Sequence, residues 1–122
     1  MELFDVTQRS LEVALHGSEL RQSVIANNIA NVNTPGFKRS DVSFGPELAN
    51  ALEFGDGDAS DVAGVDPTVA MAGGTTMRVD GNNVDIDRES NNLAQTQLHF
   101  SALMAVVTKN LSTMSQIITS AR

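Results

Sequence analysis

A chain of 122 residues with 15 acidic and 8 basic side chains carries a net charge of −7. That length holds one domain, near the size at which a single core becomes adequate, and the acidity argues against a nucleic-acid backbone as partner. Without cysteine there is neither disulfide nor thiol chemistry, and no run approaches the roughly 18 apolar residues of a membrane span.

The charge is placed unevenly. Residues 1–39 hold four acids and four bases, net 0; residues 40–90 hold eleven acids and two bases, net −9; residues 91–122 hold two bases, net +2. The acidity therefore belongs to the middle, and the two ends can approach like copies without much repulsion.

Met1-Glu2-Leu3-Phe4-Asp5 has no basic n-region and no apolar h-region, so no cleavable secretory signal is visible. From about Leu3 to Asn33 the spacing predicts an amphipathic helix. One stripe runs Phe4, Leu11, Leu15, Ile25, Ile29, Val32, interrupted by Ser18 and Gln22. A second, Val6, Val13, Leu20, Val24, lies about 120° around the helix from it. Gly17 at mid-helix costs up to about 1 kcal/mol against alanine and allows a bend or a close approach.

The helix ends in Asn27, Asn28, Asn31 and Asn33, four carboxamides in seven positions. Asparagine favours caps and turns because its amide competes for nearby backbone groups. Thr34-Pro35-Gly36-Phe37 supplies the stop, with Pro-Gly suited to the central pair of a type II turn. One such signal ends a helix, so the surplus of carboxamides is read as a surface that hydrogen-bonds to other chains. Lys38-Arg39 either pairs with neighbouring acids or is solvated.

Pro46 to Gly74 is rich in Gly, Ala and Asp and reads as irregular acidic loop. Asp56-Gly57-Asp58-Ala59-Ser60 resembles the opening of a calcium loop, but Asp61 replaces the sixth-position glycine and Pro67 the twelfth-position glutamate, which favours a solvated loop. Thr75 to Val79, Asp80-Gly81-Asn82-Asn83 and Val84 to Ile86 predict a short β-hairpin with Met77, Val79, Val84 and Ile86 on one face.

The last helix is expected to start at Asp87 as N-cap, with Glu89 at the positive end of the dipole. Leu93, Gln97, Phe100, Met104, Val107, Leu111, Met114, Ile118 and Ala121 follow a heptad rhythm, with Leu103, Val106 and Ile117 as a shoulder beside it. Neither glycine nor proline follows Gly81. Read plainly, such a stripe is the core of a small helical domain. The double striping and the neutral ends favour packing between subunits.

No catalytic set appears. His16 and His99 are single histidines without a partner at metal spacing, and no phosphate loop, nucleophile elbow or HExxH occurs. Asp85, Asp87 and Glu89 serve helix capping better than calcium, because Thr96 stands where the bidentate acid belongs. Asn110-Leu111-Ser112 fits a glycosylation triplet, but attachment inside a helix would obstruct packing. No catalytic, cofactor or metal residue is assigned.

Ala26-Asn27-Asn28-Ile29-Ala30-Asn31-Val32-Asn33-Thr34-Pro35-Gly36-Phe37-Lys38 resembles the N-terminal signature of bacterial flagellar rod, hook and hook-associated proteins. Asp41 and Phe44 after it, and Gly81-Asn82-Asn83-Val84-Asp85-Ile86-Asp87 before the last helix, are similar to the rod members of that family. The likeness covers both ends of the chain and fades between about Ala49 and Thr75. Ser90 departs from it where an apolar residue, often Met, is expected, which loosens the first turn of the last helix.

The resemblance implies a structural, non-enzymatic subunit of the proximal rod, the drive shaft that carries torque across the periplasm. Implied neighbours are copies of itself, rod proteins of the FlgC, FlgF and FlgG type, the FliE adaptor and the FliF ring of the membrane. It also implies passage through the type III export apparatus without signal cleavage, and no membrane insertion or nucleic acid. Alternatives are another rod protein of the FlgC type, or a non-flagellar coiled-coil adaptor that forms a stable dimer.

The expected fold is mainly α: residues 1–33 and 87–122 form two long antiparallel, coiled-coil-like helices, joined by the loop and hairpin of residues 34–86 into one domain. The Phe4 to Val32 stripe meets the Phe100 to Ala121 seam within one subunit. Val6, Val13, Leu20, Val24, Leu103, Val106 and Ile117 then face adjacent subunits, although the two stripes can be exchanged. The expected assembly surface further takes in Asn27, Asn28, Asn31, Asn33, Phe37, Met104, Val107, Leu111, Met114 and Ile118.

Overall fold

Asp85 starts the longest helix. Its Oδ1 accepts the backbone N–H of Asp87 at 3.0 Å and of Arg88 at 3.2 Å, and its carbonyl takes the Glu89 N–H at 2.9 Å. The N-cap is thus two residues before the expected Asp87, because a side chain at position 85 reaches the second and third free donors of the helix. Asp87 and Glu89 then lie in the first turn, at the positive end of the dipole.

The computed structural model describes residues 2–54, 59–74 and 76–120. Along the chain run α1 (Glu2–Ala30), β1 (Ser40–Ser43), α2 (Gly45–Phe54), α3 (Ala59–Ala63), β2 (Thr68–Met71) and α4 (Ile86–Ser120). The end of α1 meets the start of α4, and burial continues along both, so the two run antiparallel. At about 1.5 Å per residue they measure roughly 45 and 50 Å.

On α4 the positions turned inward are Glu89, Leu93, Thr96, Phe100, Leu103, Val107 and Asn110, in alternating steps of four and three. Leu93, Phe100 and Val107 are shared with the expected seam. Thr96, Leu103 and Asn110 replace Gln97, Met104 and Leu111, which are exposed. The phase is counted from Glu89, whose carboxylate is fixed inside the fold. Thr96 satisfies its hydroxyl by donating to the Asn92 carbonyl at 2.7 Å.

The middle is more ordered than its composition predicts. Pro46 stands in the first turn of α2, where its missing N–H costs nothing, and the Leu48 N–H bonds the Phe44 carbonyl at 2.9 Å. Val62 of α3 is buried, and α3 packs on α1. β1 and β2 pair antiparallel, Ser40 opposite Met71 and Ser43 opposite Thr68. The calcium-like Asp56, Gly57 and Asp58 lie outside the described residues, as do Thr75, Ala121 and the side chain of Phe4.

Among the described residues the expected hairpin does not form. The Met77 and Arg78 N–H groups both bond the Asn82 carbonyl, and the Gly81 N–H bonds Arg78, so a closed turn consumes the groups that a ladder needs. Met77 and Val79 point to solvent, Val84 is buried, and Ile86 opens α4.

Gly17 is a point of close approach. A Cβ there would stand 2.7 Å from three atoms of the Phe44 ring. The ring is buried, and the Arg21 guanidinium lies over it at 5.1 Å from the centroid. Gly17→Ala should therefore destabilise the chain by about 1–2 kcal/mol, overpacking outweighing the better helix propensity. In a Phe44→Ala background the same change should become neutral or stabilising by up to about 1 kcal/mol, measured as a double-mutant cycle in urea.

Candidate functional site

Where α1 ends, the chain doubles back and places an amide, a guanidinium and a carboxylate inside the fold. Glu89 is 0% exposed. Its Oε1 accepts Arg39 Nε at 2.7 Å and its Oε2 accepts Asn28 Nδ2 at 3.1 Å. Asn28 also treats Ser40 as a strand partner: its Oδ1 accepts the Ser40 N–H at 2.9 Å, and its Nδ2 donates to the Ser40 carbonyl at 2.8 Å. Asn28 on α1, Arg39 before β1, Ser40 at the start of β1 and Glu89 on α4 are thereby tied together.

Arg39 adds a second acid, with Nη2 at 3.3 Å from Asp41 Oδ2. Burial works to lower its pKa, but the hydrogen bond and charge of Glu89, with those of Asp41, hold it above the ordinary value. Arg39 is the base that the sequence left either paired or solvated, and it is paired.

Asn82 and Asn83 complete the clasp. Asn82 Nδ2 faces the carbonyls of Asn31, Val32 and Thr34 at 2.9–3.1 Å, capping the end of α1, while its Oδ1 accepts the Val84 N–H at 2.7 Å. Asn83 Oδ1 accepts the Arg39 N–H and its Nδ2 donates to the Ala72 carbonyl, both at 2.7 Å. The Thr34–Phe37 turn closes as expected, with the Phe37 N–H on the Thr34 carbonyl and Gly36 at φ 71. Gly81, at φ 84, lies against Gly36, whose N–H bonds Asp80 at 2.9 Å.

The expected surface residues divide into three groups. Asn28 and Ile25 are buried. Asn28 is thus corrected from a bond between chains to a bond within one, since both ends of its amide are already used. Asn31 is half-buried and bonds Asn27 and Thr34, whereas Asn27 and Asn33 are exposed. Val6, Leu11, Val13, Leu15, Leu20, Val24, Ile29, Val32, Phe37, Phe100, Leu103 and Val107 are half-buried. Met104, Val106, Leu111, Met114, Ile117 and Ile118 are exposed, and Leu98 joins them at 71%.

Glu89, Arg39, Asn82 and Asn83 are the residues that sequence reasoning missed. The available signal was phase: Glu89 stands four residues before Leu93, in step with the apolar run of α4. Among the described residues no group of His, Cys, Asp and Glu could hold a metal ion, and no helix is long and apolar enough to cross a membrane.

Removing one partner of the clasp leaves a buried charge uncompensated. Glu89→Ala should cost about 3–5 kcal/mol in urea denaturation, and the Glu89→Leu, Arg39→Met pair should cost far less than the two single changes combined.

The family model described as "Flagella basal body rod protein" matches residues 10–38, most of α1 and the turn beyond it. "Flagellar basal body rod protein FlgB" of Bacillus subtilis (strain 168) is 33% identical over 126 residues, covering 98% of each chain. The FlgB of Borrelia hermsii is 41% identical over 113 residues, covering 80% of this chain and 81% of that one. The FlgB of Escherichia coli (strain K12) is 28% identical, covering 98% of each. With such likeness along nearly its whole length, the chain belongs to the FlgB family of flagellar basal body rod proteins.

Proposed function

We propose that the chain is a structural subunit of the proximal rod, assembling with its own copies and with other rod proteins through its two long helices. The observation that carries this reading is the exposed apolar surface of α4. Leu98, Met104 and Val106 stand outside the seam, and Leu111, Met114, Ile117 and Ile118 lie beyond its end, so all of them leave water only if another surface covers them. Ile118 is 69% exposed near the end of a helix whose seam with α1 fades after Asn110.

In this reading α4 contributes its inward seam to the fold and its outward face to neighbours. Val6, Val13, Leu20 and Val24, half-buried on α1, are the matching surface, with Asn27 and Asn33 supplying hydrogen bonds at its end. Stiffness comes from many helix contacts acting in parallel, so torque crosses the periplasm with no chemical turnover. Partners are rod proteins of the FlgC, FlgF and FlgG type, the FliE adaptor and the FliF ring. The chain reaches them through the type III export apparatus without loss of a signal peptide.

Leu111 is 54% exposed, so Leu111→Asp should change the stability of the isolated subunit by no more than about 0.5 kcal/mol. Cells carrying only this variant should express it normally and lose the rod and motility. Wild-type swimming in that strain, with electron microscopy showing intact basal bodies, would remove α4 from the assembly surface.

A further inference from the structure

A groove of about 500 Å³ opens between the β1–β2 ribbon and the first turns of α4. Its α4 wall is polar: Arg88, Asn92, Gln95 and His99 line it in steps of four, three and four, on one side of the helix. The heads of Arg88, Gln95 and His99 have no hydrogen-bond partner among the described residues. Arg21 lies in the opposite wall and keeps its Nε buried without a partner, while its Nη2 serves the Val42 carbonyl at 2.7 Å. The one acid in the lining, Asp41, already faces Arg39. The groove therefore offers positive charge and donors, and it fits a carboxylate-bearing surface.

α1 carries such a surface. Asp5, Glu12 and Glu19 recur every seven residues on its exposed side. Each directly precedes a residue of the half-buried row Val6, Val13, Leu20. An apolar row and a row of acids thus run side by side. In the isolated subunit Glu12 is paired with Arg9 at 2.8 Å on the exposed surface, an ion pair weak enough to exchange for one with a neighbour. On α4 the exposed Leu98 stands beside Gln95 and His99 in the same manner.

We propose that the groove receives α1 of a second copy, with Glu19 set against Arg88 and Glu12 against Gln95 and His99. The proposal rests on the rod reading and names the surface by which copies meet. Within one subunit these residues cannot pair. Asn28 touches Glu89, and Glu19 lies nine residues before Asn28, about 14 Å along the axis. Between copies with the same polarity, α1 of one runs antiparallel to α4 of the next. The equal seven-residue spacings then come into register when the copies are staggered by about ten residues, roughly 15 Å. Val6 and Val13, then level with residues 101 and 94, are carried to either side of Leu98 in the same movement.

The chain has no cysteine, so introduced thiols report this contact alone. Cells carrying only the Glu12→Cys, Gln95→Cys variant, treated with a mild oxidant, should yield a ladder of disulfide-linked chains longer than dimers. Arg88→Glu should abolish swimming, and adding Glu19→Arg to the same chain should restore it. Helix content of each purified variant should match the parent. A motile double-cysteine strain that yields only monomer overturns the proposal and leaves the rod reading standing. So does an Arg88→Glu strain that swims normally, or one that Glu19→Arg fails to rescue. Motility that survives deletion of the gene overturns the rod reading itself.

Discussion

A carboxylate with no access to water holds this fold in register. Burying an ion costs several kcal/mol unless geometry and hydrogen bonds offset it, and Glu89 meets that condition with a guanidinium on one oxygen and a carboxamide on the other. Because Arg39 and Asn28 come from different parts of the chain, the clasp cannot close until α1, the turn into β1 and α4 are all in place. It also sets the rotation of α4: once Glu89 faces inward, every fourth and third residue after it does too. Leu103 then packs inside, and Met104 and Leu111 go out.

This rotation gives α4 an unusual division of apolar surface. Its seam with α1 accepts Thr96 and Asn110, while Leu98, Met104 and Val106 remain outside, and beyond Asn110 even Met114 and Ile117, which keep the seam's phase, are exposed. A helix that served its own subunit alone would gain by the reverse arrangement. Specificity within the subunit comes from the polar clasp at one end, and much of the apolar surface of α4 stays exposed. The half-buried valines of α1 share that character.

Both long helices are legible in the sequence because 3.6-residue periodicity persists over many turns, and the Thr34–Phe37 stop is legible because only a few residue pairs suit that turn. The strands are not. Ser40–Ser43 and Thr68–Met71 are short, lack a joining turn and pair across 24 residues, so nothing local marks them. Asp80-Gly81-Asn82-Asn83 does carry turn chemistry and does turn, but its amides are spent on the end of α1 and on Arg39 instead of on flanking strands. Glu89 was hidden by a sound rule, since an acid in a first helical turn is ordinarily a solvated partner of the dipole. Asn28 was hidden by its neighbours: four similar carboxamides look alike until the backbone shows which one faces Ser40.

The outward rim of β1 has a further consequence. Asn28 covers the backbone of Ser40, Arg21 takes the carbonyl of Val42, and Asp41 Oδ1 takes the Val42 N–H at 2.8 Å. Unsatisfied strand rims recruit foreign strands, and the hazard grows wherever many identical polypeptides crowd together. Here three side chains mimic the missing neighbour, so that flank offers crowded copies no template for amyloid-like growth.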